Sequence, residues 1–393
     1  MANPVQVKPG IHWVGGIDWD LRNFHGYTTQ RGSTYNAYLI LDEKKVLVDT
    51  VKHYLFDEML SRIEKLIDPS TIEYIVTNHV EMDHSGSLPK ILELVPEAKV
   101  IVSPQGEKGV RHHFKKDWDF WVVKTGDSIR IGKRTLQFFL TPMVHWPDSM
   151  VTYIPEEKLL LPNDAFGQHI ASFERFDDEI GWDILHEEAA KYYGNIVLPY
   201  GDQVKAALDA LSTLDIEMVA PSHGVIWRSH LNKIIESYMK WATFESEKRA
   251  LIVYDTMWGS TEKMAYALRE GLEESGVPVV VRCLKTTDMS DVITDLLHSK
   301  AILIGSPTLN NGIFPRVSAF LTYIRGLKPR KRIGFAFGSY GWGGKVVEEI
   351  EEILRGLGWE LPVEGAKVRY VPDGKDLDKL KELGRNLGET IKK

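Results

Sequence analysis

Six consecutive residues, His79-Val80-Glu81-Met82-Asp83-His84, carry four side chains able to hold a metal. An extended or turned segment can aim alternate residues, 79, 81 and 83, at one point. Three further candidates close apolar runs: His145 ends LQFFLTPMVH, Asp164 ends LLLPND and His223 ends MVAPSHG. Singly, each could be a turn or cap residue, Asp164 above all because it follows Asn163 at a turn. Together they fall where a layered α/β fold gathers a site. The only cysteine is Cys283, which excludes an internal disulfide, a four-thiolate zinc site and an iron–sulfur cluster. Any protein-bound metal must therefore sit on nitrogen and oxygen. A set of up to four histidines and three carboxylates suits iron better than a structural zinc site does.

A second chemistry is carried by three late loops. Thr256-Met257-Trp258-Gly259-Ser260-Thr261 joins a strand directly to a helix. Hydroxyls and helix-start N–H groups at such a turn suit a phosphate. The run is neither GxGxxG nor GxxxxGK[ST], which argues against a dinucleotide fingerprint and a P-loop. Two more polar, glycine-rich loops follow the third and fourth strands of this region. They are Ser306-Pro307-Thr308-Leu309-Asn310-Asn311-Gly312 and Gly338-Ser339-Tyr340-Gly341-Trp342-Gly343-Gly344. All three loops lie at carboxyl ends of strands, where open α/β sheets bind ligands. The aromatics Trp258, Tyr340 and Trp342 are interleaved in these loops.

The elements that must position these residues change grammar along the chain. Up to about residue 245 the pattern is of short apolar strands with few helices. A hairpin is expected at 36–40 and 46–50, with strands at 73–77, 99–103, 119–124 and 135–140. Helical periods cover 54–66, 88–94, 182–196 and 231–245. From residue 251 strands alternate regularly with helices: 251–255, 277–284, 301–307, 332–339 and 367–372 as strands, with helices between them and a charged helix at the end. That alternation means a parallel, doubly wound sheet. The expected domains are 1–248 and 249–393.

Composition sets the outer limits. The 393 residues are 43% hydrophobic and 26% charged, ordinary for a globular protein. The net charge of −7 and the absence of a Lys/Arg block argue against a nucleic-acid partner. No apolar run approaches the roughly 18 residues of a membrane helix. The opening MANPVQVKPG has no apolar signal core, so a cytoplasmic chain that does not engage a membrane is expected.

Residues 250–393 resemble flavodoxin, and about 1–245 resemble the metallo-β-lactamase fold. Hydrolases of that fold carry H-x-H-x-D-H; here Glu81 stands in place of the second histidine. An H-x-E-x-D-H motif on a lactamase-like body with a flavodoxin tail resembles the flavodiiron proteins over the whole chain. The resemblance implies an N-terminal αββα domain followed by a flavodoxin-like domain. It also implies His79, Glu81 and His145 on one iron, Asp83, His84 and His223 on the other, and Asp164 bridging. In some members the histidine matching His84 is turned away and water replaces it. The resemblance further places the FMN phosphate on 256–261 and the ring between the other two loops. It puts His25 and the pair Tyr192-Tyr193 near the substrate pocket, with His169 and Trp146 as weaker candidates; helix packing is the plain alternative for Tyr192 and Tyr193.

The implied activity is an oxidoreductase that reduces dioxygen to water or nitric oxide to nitrous oxide. Two ferrous ions supply one electron each and reduced FMN supplies two, the four that take dioxygen to two waters. The chain lacks the cysteines of a fused rubredoxin, so a separate carrier is implied, either rubredoxin or a reduced deazaflavin. A head-to-tail homodimer, alone or as a dimer of dimers, is implied as well. The rival readings are a dizinc esterase or nuclease with a flavodoxin sensor, and an FMN carrier with an inert metal domain. Glu81 speaks against the first and the intact ligand set against the second.

Overall fold

The computed structural model describes residues 3–393. They form two compact units, residues up to Tyr192 together with Asp202–Met239, and Tyr193–Gly201 together with Lys240–Lys393.

In the first unit a seven-stranded sheet faces a five-stranded one. The strand order of the larger sheet is Val5–Lys8, Ile11–Trp13, Tyr38–Leu41, Lys45–Val48, Ile72–Val76, Lys99–Val102 and Phe120–Val122. The smaller runs Ser128–Arg130, Thr135–Leu140, Met150–Ile154, Leu159–Leu161 and Met218–Val219. Side chains alternate across a strand, and Lys45–Val48 shows the use made of this. Val46 and Val48 join Phe138, Met150 and Leu161 between the sheets. Leu47 points the other way, to Met59 and Ile63 of the helix Phe56–Glu64 and to Leu88 and Ile91 of Leu88–Leu94. The predicted hairpin is present, with Tyr38–Leu41 antiparallel to Lys45–Val48. Two eleven-residue helices went unforeseen, Pro104–Phe114 and Gly201–Leu211, as did the single turns Met82–Ser85 and Asp177–Ile180.

The second unit has five parallel strands in the order Val279–Cys283, Glu247–Tyr254, Ser299–Leu309, Ile333–Tyr340 and Ala366–Arg369, with the short Gly312–Ile313 turned back on the third in sequence. In chain order this is 2-1-3-4-5, the doubly wound topology whose ligands bind at the carboxyl ends of strands. Helices Ser260–Glu274, Met289–His298, Pro315–Leu327, Val346–Gly356 and Gly374–Lys392 alternate with the strands as expected.

The units divide the chain a little differently from the expected 1–248 and 249–393. Residues 240–248 belong with the second unit because Glu247 already pairs with Ser299 and Arg332 Nη1 donates to the Phe244 carbonyl at 3.0 Å. The expected helix 182–196 ends at Tyr192 and continues as a π-helix, Tyr193–Val197. That turn is held in the second unit: Asn195 Nδ2 donates to the Ser290 carbonyl and Tyr323 Oη donates to Asn195 Oδ1. Among the described residues no helix is long and apolar enough to cross a membrane.

Candidate metal centre and flavin cleft

Every candidate ligand lies just past the carboxyl end of a strand. His79 and Glu81 follow Ile72–Val76, and Asp83 and His84 occupy the single turn Met82–Ser85. His145 follows Thr135–Leu140, Asp164 follows Leu159–Leu161 and His223 follows Met218–Val219. The fold draws all seven into two buried groups, His79, Glu81, His145 and Asp164 in one and Asp83, His84 and His223 in the other.

Asp164 divides its oxygens between the groups. Oδ2 lies 3.2 Å from His145 Nε2 and 3.5 Å from His79 Nε2. Oδ1 lies 2.9 Å from His84 Nε2 and 3.3 Å from His223 Nε2. Glu81 Oε2 is 3.3 Å from His79 Nε2 and 3.5 Å from His145 Nε2. Asp83 Oδ2 is 3.4 Å from His84 Nε2 and 3.3 Å from His223 Nε2. Bonds of about 2.1 Å to one ion at right angles put donor atoms about 3.0 Å apart, the spacing found here. Both oxygens of Asp83 and Asp164, both nitrogens of His84 and Nε2 of His223 are buried without a hydrogen-bond partner among the described residues. Buried polar atoms are ordinarily paired. Each residue of a group offers one donor atom close to the others of its group, and so many close donors are left without a hydrogen bond that the residues present fit two metal ions. His84, whose orientation the sequence left open, is turned into the cluster.

The electrostatics agree. Burial opposes charge on the His145 and His223 rings, yet the carboxylates around them raise His145 to about 9 and His223 to about 10. Burial likewise opposes ionisation of Glu81 and Asp164, yet the surrounding histidines hold both carboxyls well below the usual range. Without a metal the site gathers protons, and cations replace protons in such a site.

Several supporting residues were not singled out from the sequence. Asp148 Oδ2 accepts from His79 Nδ1 at 2.8 Å. The Thr34 carbonyl accepts from His223 Nδ1 at 2.9 Å. Buried Asp49 accepts from Asn78 N–H, Asn78 Nδ2 and Asn163 Nδ2, tying together the neighbours of His79 and Asp164. Its place at the end of the run VLVDT was the available signal.

His25 reaches the cluster, with Nε2 2.5 Å from Glu81 Oε1 and 57% of its side chain exposed. The Tyr192 ring packs on His169 at 5.2 Å and His223 at 5.9 Å. Tyr193 packs on Trp241 at 5.2 Å, in the second unit. A one-residue step on a helix turns a side chain by about 100°, which is why neighbours in sequence part company here. His169 lies 4.7 Å from the His223 ring and Trp146 5.0 Å from the His79 ring.

In the second unit the three predicted loops converge on a cleft of about 820 Å³. Its walls include Thr256, Met257, Trp258, Ser260, Pro307, Thr308, Leu309, Asn310, Ser339, Tyr340, Gly341, Trp342 and Gly343. Asn311, Tyr370 and Val371 also line it; the last two come from a fourth loop that carries no glycine-rich signal. Five expected residues stand behind the walls. Thr261 is buried, with its hydroxyl bonded to Ser339 Oγ at 3.0 Å, joining two loops. Ser306 Oγ accepts from the Phe314 N–H at 3.0 Å. Gly312 pairs with Leu309 in a hairpin. A Cβ on Gly344 would meet the Tyr340 ring at 2.9 Å. Gly259, at φ +83°, takes the left-handed turn that opens the helix Ser260–Glu274, leaving its first N–H groups without intrahelical acceptors. A phosphate at that helix start with a ring between the aromatic loops fits the cleft.

Comparison with known proteins agrees with both halves. The ODP family beta lactamase model matches residues 34–224 and the flavodoxin model matches 252–384. The nitric oxide reductase of Moorella thermoacetica is 47% identical over 397 residues, covering 100% of both chains. The solved rubredoxin oxygen:oxidoreductase of Desulfovibrio gigas superposes with a TM-score of 0.97 at 41% identity, over 99% of each chain. The flavodiiron protein of Giardia intestinalis gives a TM-score of 0.97 at 34% identity, over 100% of this chain and 97% of that one. A split-carboxylate cluster in a lactamase-like unit, a flavodoxin cleft in the same chain and full-length likeness to these proteins lead to one conclusion: the chain belongs to the flavodiiron protein family.

Proposed function

We propose that this oxidoreductase reduces dioxygen to water or nitric oxide to nitrous oxide, drawing electrons from a separate rubredoxin-type carrier. The observation that carries the reading is the division of Asp164, one oxygen toward each trio of donors. When bound, the two irons and FMN supply the electrons and a two-metal template for the reacting atoms.

The chain's own groups bind, shield and move protons. His79, Glu81 and His145 hold one iron, Asp83, His84 and His223 hold the other, and Asp164 joins them. Phe24, Tyr35, His169 and Tyr192 surround the His223 ring at 4.7–6.0 Å and exclude water from that side. His25 runs from solvent to Glu81, and the carboxylate raises its affinity for a proton. It is the group placed to pass protons inward. In the second unit the hydroxyls and N–H groups of 256–261 hold the phosphate, and the loops at 307–311 and 339–343 hold the ring.

The reading includes a head-to-tail dimer in the cytoplasm, where the lone thiol Cys283 stays reduced. Each unit leaves large apolar side chains in solvent. The first exposes Trp19, Tyr54, Met82 and Phe173, and the second exposes Trp258, Trp342, Tyr370 and Val371. Patches of this kind mark interaction surfaces. A two-fold dimer covers both pairs at once.

The test is turnover of pre-reduced protein with each gas, alongside metal and flavin analysis. Iron, FMN and consumption of either gas are expected; zinc as the sole metal from iron-replete cells overturns the reading. For the dimer, His79→Ala with Asp164→Ala in one chain is co-expressed with Gly259→Glu in the other. Mixed dimers should recover about half of wild-type activity, because one of the two cross-chain pairs is intact. Mixed dimers as inactive as their parents refute the arrangement.

A further inference from the structure

The histidines around the carboxylates are not backed alike. His79 turns its outer nitrogen, Nδ1, to Asp148 Oδ2 at 2.8 Å, and the same oxygen accepts from the Val80 N–H at 2.9 Å. Asp148 is only 3% exposed, and its carbonyl accepts from Ser103 Oγ at 2.6 Å. The carboxylate is thus held in place from its own backbone and aimed at one ring. His223 instead turns Nδ1 to a neutral backbone carbonyl, that of Thr34, at 2.9 Å. His84 Nδ1 is buried and has no hydrogen-bond partner among the described residues.

These acceptors differ in chemistry. A carboxylate makes the imidazole N–H bond charge-assisted and about twice as strong as a neutral one. It raises the basicity of the ligating nitrogen, here Nε2 of His79. The group containing Glu81 therefore has an additional negative charge directly behind one ligand. The group containing Asp83 has the opposite influence nearby. The Lys52 ammonium lies 4.6 Å from the Tyr35 ring and 5.3 Å from the Phe24 ring, and both rings pack on His223, a member of that group. Two groups act in the contrary sense. His25, on Glu81 Oε1, is more than half exposed, and solvent screens it. Buried Asp49 interacts with His84, but its oxygens are engaged by Asn78 and Asn163 and form no hydrogen bond to a ligand.

We infer that Asp148 makes the two iron positions unequal. As a positioning residue it orients His79 and enriches its Nε2. The iron on His79, Glu81 and His145 is then held more tightly, and reduced at a lower potential, than the iron on Asp83, His84 and His223. The inference rests on the diiron reading above and deepens it.

The experiment compares full-length wild type with Asp148→Asn and Ser103→Ala, each loaded with iron. Asparagine keeps the shape and an accepting oxygen but removes the charge. Iron is withdrawn by graded EDTA, and the iron potentials are measured by titration followed with Mössbauer spectroscopy. Wild type should release its irons in two steps and show two potentials. In Asp148→Asn the tighter step should weaken about 10–100-fold while the looser step stays. The lower potential should rise alone, by about 59 mV for each tenfold preferential loss of the ferric form. Ser103→Ala loosens the support of Asp148 without touching charge and should leave both potentials in place. Unchanged steps and potentials in Asp148→Asn, or an equal shift in Ser103→Ala, overturns the inference. Wild type alone can overturn it too, should Asp148→Asn fail to fold, if both irons leave in one step at one potential. Wild type that binds no iron refutes the diiron reading instead, so the two failures are distinct.

Discussion

In the first unit seven buried donor side chains crowd together, three of them carboxylates, and their charges leave room only for cations. In the second unit the cleft walls carry no charged side chain among the described residues, and Trp258 and Trp342 are 93% and 88% exposed. Both sites use the same device, loops at the carboxyl ends of strands. They are finished in opposite ways because they do different work. Metals that bind small gases need buried charge, which is strong only where water is excluded. A flavin that relays electrons needs an open edge and neutral contacts. A buried charge cluster should fail abruptly when one member is removed. An open neutral cleft should respond mainly to backbone and bulk.

The largest expected effect breaks the first side of this comparison. Asp164→Ala removes the one carboxylate shared by both groups and leaves four histidines and two carboxylates around two cations that nothing bridges. Iron affinity should fall by more than about 100-fold, beyond the loss typical of an outer partner, with flavin content unchanged. Metal and flavin analysis of the same sample checks both halves. Tyr193→Phe, on the ring that packs against Trp241, should retain its iron.

The next effect breaks the second side. Gly259→Glu forces a side chain into a left-handed turn at φ +83°, at a cost of about 1–2 kcal/mol, and sets a negative charge where the phosphate sits. Flavin binding should weaken at least about tenfold, read by fluorescence titration, with both irons retained. Simultaneous loss of iron would show that the two sites are not independent.

The smallest effect sharpens the charge argument through pH. His145 at about 9 and His223 at about 10 lie above the ordinary histidine value of about 6.5. In metal-free protein their stabilisation is complete below about pH 6.5 and is lost as pH rises through about 9 to 10. Thermal unfolding of the apo-protein across that window should show the decline. Iron affinity moves the other way, falling in acid, and loading at pH 7 should release at least about two protons per chain. A pH-indicator titration counts them; none released would contradict the charge state inferred for the empty cluster.

Much of this was legible because chemistry and local periodicity are local properties. His79, Glu81, Asp83 and His84 announce themselves by type and spacing, and the alternating strands and helices after residue 251 spell out a doubly wound sheet. The three glycine-rich loops were found for the same reason. What escaped depended on neighbours distant in the chain. Asp148 is an ordinary turn residue until the fold brings it to His79, 69 positions away. Tyr370 and Val371 carry no loop signature and line the cleft only because their strand pairs beside Ile333–Tyr340. Thr261 and Ser306 have the right hydroxyls, but the packing of the loops turned them inward.

The sequence alone determined which atoms were available: no thiolate cluster, a surplus of histidine and carboxylate, and loops of the correct composition at strand ends. Side-chain type sets donor chemistry, and apolar periodicity sets the layers, so neither needs coordinates. The tertiary structure decided how those atoms are apportioned. It turned His84 inward, split Asp164 between two groups, separated Tyr192 from Tyr193 and gave His79 a carboxylate where His223 received a carbonyl. Those outcomes depend on directions a few ångströms apart, and such directions follow from how sheets, turns and helices pack rather than from any residue's identity.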